Sequence, residues 1–273
     1  MAARVAFQGE RGAYGEMAAL QYFPGAILMP LKSFADVFEA AERKKVAYAV
    51  IPVENSIEGS VGEVYDLLLL TKLKAVGEVY HRVHHCLIAN RGVKISEIKS
   101  VYSHPQALGQ CRGYLRRKKL EPLMAYDTAG AVKMIKDQKL KGAAAIASRR
   151  AAELYGMEVL AEGIEDRKNN YTRFLVLAPG ADRRVGKDYK TSIMFSVKHV
   201  PGALFGILGE FALRRLNLTK IESRPTKETP WEYNFYVDFE GHQGNRAVKQ
   251  VLSAVRSKTS YLKVLGSYKK ASF

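Results

Sequence analysis

Ala47-Tyr48-Ala49-Val50-Ile51-Pro52-Val53 runs straight into Glu54-Asn55-Ser56-Ile57-Glu58-Gly59-Ser60-Val61-Gly62. The first seven residues form an apolar run of strand length, and a polar cluster follows at its carboxyl end. Open α/β sheets bind their ligands at that end of a buried strand. Working outward, 4–8 reads as a second buried strand and 14–22 as a helix. Ser33 is a natural N-cap, and Phe34, Val37, Phe38 and Ala41 place one apolar stripe on the helix it opens. Further strands are predicted at 83–89, 100–102, 123–126, 143–147 and 173–177, with helices near 105–117, 129–138 and 149–155. Strand and helix keep alternating, so the class is α/β.

The polar stretch 179–188 contains a proline and two glycines and separates two differently organised regions. The reading is a first domain at 1–180, a linker at 181–189 and a second domain at 190–273. In the second domain the order is strand (192–198), helix (202–215), strand (218–224), strand (233–240), helix (245–258), strand (262–268). That is the ferredoxin-like βαββαβ order.

The chain has 273 residues, 47% of them hydrophobic and 26% charged, which excludes disorder as the main reading. Its longest apolar run, near Leu67–Leu70, is far short of a membrane span. No signal peptide is read, and Cys86 and Cys111 form no disulfide framework, so a cytoplasmic location is expected. The net charge of +16 suits nucleic-acid binding or capture of a small polyanion. The excess is spread over the chain, and the one dense run, Arg116-Arg117-Lys118-Lys119, closes a predicted helix, where cations suit the dipole. No nucleic-acid or membrane partner is expected.

Several clusters can carry chemistry. Gly9, Gly12 and Gly15 lie between a strand and a helix, either as an anion cradle or as a bare tight turn. They lack the nucleotide-binding fingerprints. Ser103 precedes His104-Pro105-Gln106 at a helix start, as an N-cap or as a pocket group with Gln106 and Gln110, which share a face. His81, His84, His85 and Cys86 have no second ligand cluster, and a structural or surface role is read for them. Asn170-Tyr171-Thr172-Arg173-Phe174 places a hydroxyl and a guanidinium at a strand entrance, where Arg173 needs solvent or an anion and can bind a carboxylate bidentately.

Taken together, Gly9-x-x-Gly12 with Tyr14, Pro52-x-Glu54-Asn55-Ser56-x-x-Gly59-x-Val61, Ser103-His104-Pro105-Gln106 with Gln110, Asp127-Thr128-Ala129 and Asn170-x-Thr172-Arg173-Phe174 resemble, in order, the motifs of prephenate dehydratases. Gly15 departs from the usual serine. The 190–273 region resembles the ACT domain of that family. The resemblance implies a bilobed, periplasmic-binding-protein-like (type 2) catalytic domain, with one lobe at 1–78 and 165–180 and the other at 79–164. It implies decarboxylating dehydration of prephenate to phenylpyruvate, water and CO2, with no metal or cofactor. Thr172 is then the hydrogen-bond donor to the departing oxygen, with Arg173 holding a carboxylate or polarising Thr172. Asn55, Ser56, Ser103, Gln110, Thr128, Asn170 and Phe174 bind substrate, and Glu54 orients its neighbours or binds the amine of arogenate, the rival substrate. An amino-acid sensor that has lost catalysis is a further alternative. In the ACT domain, Gly202, Ala203, Leu204, Asn217, Glu222, Ser223 and Arg224 would bind L-phenylalanine as an allosteric effector, in a homodimer or homotetramer formed through these domains.

Overall fold

The computed structural model describes residues 2–182, 184, 186–227 and 231–272, so Arg183 and Val185 of the expected linker lie outside the described residues. The chain begins with β1 (Arg4–Gln8), α1 (Tyr14–Tyr22), β2 (Ile27–Leu31), α2 (Phe34–Glu42), β3 (Tyr48–Asn55), β4 (Gly59–Ser60), α3 (Gly62–Leu70) and β5 (Lys74–Arg82). A second α/β unit follows: β6 (Cys86–Ala89), β7 (Ser100–Ser103), α4 (Pro105–Gln110), α5 (Arg112–Lys118), β8 (Glu121–Met124), α6 (Thr128–Asp137), β9 (Ala143–Ala147), α7 (Arg149–Tyr155) and β10 (Glu158–Glu162). The chain then returns as β11 (Tyr171–Ala178) into the first sheet, whose order is β2-β1-β3-β11-β5, while the second sheet runs β10-β6-β9-β7-β8. Two lobes joined by two crossings result. The first crossing lies after β5, at 83–85, so β5 belongs wholly to lobe 1, whereas the sequence boundary after 78 divided it.

The helices start where side-chain chemistry dictates. Ser33 and Asp36 form a reciprocal capping box at α2, and its buried face is the predicted Val37, Phe38 and Ala41 with Ala40. The single helix predicted over 105–117 is broken at Cys111 (φ −112°, ψ 15°) into α4 and α5.

The third unit is β12 (Tyr189–Ser196), α8 (Ala203–Leu213), β13 (Leu218–Pro225), β14 (Tyr233–Glu240), α9 (Arg246–Lys258) and β15 (Tyr261–Lys269). Its antiparallel sheet, ordered β13-β14-β12-β15, is the expected βαββαβ arrangement. One face packs Ile193, Phe195, Val237 and Phe239 under its helices. The other face contributes Met194, Tyr236, Leu265 and Tyr268 to the same core as Val64, Tyr65, Leu68, Leu73 and Ala75 of lobe 1. At the seam Gly266 is crossed so closely that a Cβ there would lie 2.1 Å from the Ala75 carbonyl oxygen. Gly266→Val is therefore expected to lower the melting temperature markedly, measurable by calorimetry, because the obstacle is backbone and cannot swing aside.

Candidate active site

The cleft between the lobes has a volume of about 490 Å³, ample for a small organic acid. Thr172 enters it from β11, between Asn55 on β3 and His81 on β5. Asn55 defines the hydroxyl. Its Oδ1 accepts the backbone N–H groups of Ile57 (2.9 Å) and Glu58 (3.0 Å), which turns its amide nitrogen toward Thr172 Oγ1 at 3.0 Å. Thr172 therefore accepts from Asn55, and its own proton remains available to the cleft.

The N-terminal ends of α1, α2, α4 and α6 face the same space through Tyr14, Phe34, Gln106 and Thr128. Their dipoles favour an anion and Lys32 adds a formal positive charge, on a wall that also carries the carboxylates of Glu63 and of Asp127, the cap of α6. Among the described residues no group of His, Cys, Asp and Glu is arranged to hold a metal ion.

Of the residues expected to bind substrate, Asn55, Gln110, Thr128 and Phe174 line the cleft with Thr172. Asn170 is buried behind them, donating to Gln110 Oε1 at 2.8 Å and accepting from Asn55 at 2.7 Å. Ser103 is fully buried on β7 and donates to the Ile146 carbonyl at 2.6 Å, so it neither lines the pocket nor caps α4; His104 takes the cap. The Ser56 hydroxyl is spent on the backbone at 169 and 171 and ties the second crossing to β3. Glu54 points away from the cleft to Lys220 at 2.9 Å.

Arg173 requires the largest correction. Successive strand residues face opposite sides, so with Thr172 in the cleft Arg173 lies beneath the sheet, nearly inaccessible. It neither holds a substrate carboxylate nor touches the Thr172 hydroxyl. Its Nε donates to Glu78 at 2.8 Å, one terminal nitrogen to Asp238 at 2.5 Å and the other to the Tyr268 hydroxyl at 2.9 Å. Lys190 completes the cluster 3.0 Å from Glu78. Two cations and two carboxylates thus share one buried seam between lobe 1 and the C-terminal sheet. The Gly9–Gly15 turn is also not an anion cradle, since the N–H of Gly9 goes to the Leu31 carbonyl and that of Gly12 to the buried carboxylate of Glu16.

Sequence reasoning missed His85 and Lys32. His85 lies in the first crossing, 2.9 Å from both the Tyr14 hydroxyl and Gln110 Oε1. Burial pushes the imidazole below its ordinary pKa. The signal was a histidine beside the start of a buried strand. Its neighbour His84 pairs instead with Glu165.

The expected effector residues divide between two faces. Gly202, Ala203 and Leu204 open α8, and Ser223 lies on the helix side of β13, opposite Phe235. Asn217 leads into β13. Glu222 and Arg224 face lobe 1, where Glu222 accepts from Ser60 at 2.6 Å and Arg224 lies 3.7 Å from Asp66.

Comparison with known proteins agrees with this geometry. Residues 5–181 match the family model for prephenate dehydratase, and residues 191–257 match that for the ACT domain. A curated relative, arogenate dehydratase/prephenate dehydratase 2 (chloroplastic) of Arabidopsis thaliana, is 46% identical over 97% of this chain and 72% of its own. Among solved structures, a prephenate dehydratase from Arthrobacter aurescens in complex with L-Phe superposes with a TM-score of 0.89 at 30% identity, covering 98% of this chain and 90% of its own. GqqA, described as a novel type of quorum quenching acylase, superposes with a TM-score of 0.90 at 33% identity, covering 98% of both chains. With its catalytic-type lobes and its C-terminal sheet both matched, the chain belongs to the prephenate dehydratase family and carries an ACT domain.

Proposed function

We propose that this protein aromatises prephenate by decarboxylating dehydration, giving phenylpyruvate, and that arogenate is the alternative substrate. The observation that carries the reading is the Thr172 hydroxyl, fixed by Asn55 as an acceptor and so presenting its proton to the cleft. The ring C–COO⁻ bond breaks, its electron pair aromatises the ring, and the 4-hydroxyl leaves as its C–O bond breaks. Thr172 donates a hydrogen bond to that oxygen as negative charge develops, and a proton taken up there yields water. The helix ends and Lys32 hold the carboxylates in the alignment that fragmentation needs.

Arogenate differs by an ammonium in place of the side-chain ketone, and the Arabidopsis relative bears both names. Turnover of each substrate by the purified protein decides between them, and inactivity on both would leave the amino-acid sensor. Acyl hydrolysis is less well supported. A threonine nucleophile needs a base, whereas the described partner of Thr172 Oγ1 is an amide N–H. The buried, free Cys86 and Cys111 support a reducing compartment.

L-Phenylalanine is the proposed effector of the ACT domain, supported by the similarity to a structure that holds it. Val200, Phe205, Leu213 and Ile221 are exposed on the helix side of the ACT domain, and a second copy of the chain is the proposed cover. Addition of phenylalanine is expected to lower turnover by favouring a closed, less active arrangement of the assembly. Phe205→Glu is expected to shift the sedimentation coefficient toward the monomer and to abolish that response. A wild-type protein that already sediments as a monomer would overturn the dimer.

A further inference from the structure

Asn55 is one end of a longer chain of side chains. Its amide nitrogen, turned by the backbone N–H groups of Ile57 and Glu58, also donates to Asn170 Oδ1 at 2.7 Å. That makes Asn170 Oδ1 the acceptor, so its nitrogen is the donor to Gln110 Oε1 at 2.8 Å. Gln110 Oε1 then faces His85 Nε2 at 2.9 Å. An oxygen opposite a ring nitrogen demands a proton on that nitrogen. Each orientation follows from the one before, starting from backbone groups whose polarity is not in doubt.

The same logic reaches the other side of the ring. With Nε2 protonated and the ring neutral, Nδ1 is a bare acceptor. Opposite it, at 2.9 Å, lies the Tyr14 hydroxyl, whose one proton is shared between Nδ1 and the His84 carbonyl. Burial of the ring favours the neutral form, against the nearby Glu165 carboxylate. The Tyr14 ring meets the imidazole edge-on with centroids 5.6 Å apart, which holds its plane. The chain also bridges the molecule. Tyr14 and Asn55 belong to lobe 1, His85 and Asn170 to the two crossings, and Gln110 to lobe 2.

We propose that His85 is a positioning residue for the dehydration, holding together with Asn170 the carboxamide of Gln110 so that its own N–H groups face the cleft. The proposal rests on the reaction assigned above. Without the Nε2–H, Gln110 Oε1 keeps one donor, Asn170, in place of two, and the carboxamide can swing about that bond. Asn55 stays fixed by Ile57 and Glu58, but the N–H groups of Gln110 are no longer held toward the cleft. His85 touches no reacting atom, so the effect is on the alignment of the substrate that Gln110 faces and falls on kcat.

The test uses the full-length protein. His85→Phe keeps a ring against Tyr14 and removes the donor, and kcat is expected to fall about 10- to 100-fold with KM little changed. His85→Gln restores an N–H toward Gln110 and is expected to recover most of that loss at an equal melting temperature. The proposal is overturned if His85→Phe keeps wild-type kcat, or if His85→Gln folds as well as the wild type and is no better than His85→Phe. Nitrogen-15 NMR of the imidazoles in the ligand-free wild type, assigned by loss of a signal in His85→Phe, reads the tautomer without turnover. A protonated Nε2 with a bare Nδ1 is expected, and the reverse tautomer would sink the amide chain. Inactivity of the wild type on prephenate and arogenate would refute the reaction alone, while the tautomer would still decide the chain.

Discussion

Thr172→Val is expected to reduce kcat by about 10²- to 10⁴-fold, with KM and melting temperature almost unmoved. Valine keeps the branched shape on β11 and deletes the one hydroxyl proton that Asn55 leaves free for the cleft. The departing oxygen becomes an acceptor of consequence only as the C–O bond stretches, so the missing hydrogen bond belongs to the transition state. The fold is insulated from the change. Asn55 still donates to Asn170 at 2.7 Å and remains anchored by Ile57 and Glu58. Steady-state kinetics with prephenate or arogenate, beside thermal denaturation, separates the two effects. A variant that retained more than a tenth of wild-type kcat would remove Thr172 from the chemistry. Thr172→Ser, which restores the hydroxyl, should restore much of the rate.

Arg173→Met is expected to show the opposite signature, with stability falling first. Removing one member of a buried ion cluster leaves the others uncompensated and costs on the order of 3–5 kcal/mol. For a chain of this size that corresponds to a melting temperature lower by roughly 10 °C. Asp238 and Glu78 would be left in the seam without the guanidinium between them, Glu78 keeping Lys190 and the Ala271 N–H and Asp238 keeping the Ser192 hydroxyl. The double variant Arg173→Met with Asp238→Asn should be less destabilised than the sum of the single changes. Acid gives an independent reading. Burial alone would raise the Asp238 carboxyl, but the Arg173 guanidinium and the Ser192 hydroxyl bring it below the usual carboxylate value. A depressed folded-state pKa contributes stability above the unfolded value, and that contribution is lost as pH falls through the folded one. Urea midpoints measured between neutrality and about pH 3 should therefore decline more steeply in the wild type than in Asp238→Asn.

Thr172 and Arg173 also show what sequence can convey. Apolar periodicity located β1, α1, β9, α7 and β14 to the residue, and the serine cap of α2 was legible because its partner Asp36 lies three residues on. β2 escaped because it holds Pro30, which an edge strand tolerates through its unpaired side. β5 escaped because Glu78 interrupts its apolar run, and the reason for a buried glutamate lies more than 90 residues away at Arg173. The substrate cleft was legible as a set of motifs. The sides of the sheet were not: alternation shows that Thr172 and Arg173 diverge, but only the docking of the ACT sheet decides which of them meets the substrate. His85 was hidden for a related reason, since its partners come from α1 and α4.

The seam itself bears on how this chain can be divided. Residues 181–189 separate two halves along the sequence, yet Met194, Tyr236, Leu265 and Tyr268 complete the interior of lobe 1. A fragment ending at residue 180 would expose Val64, Tyr65, Leu68 and Leu73 to water and strand Glu78 and Arg173 without Asp238. Such a fragment should self-associate rather than stay dispersed, and titrating in the excised ACT half should restore its solubility.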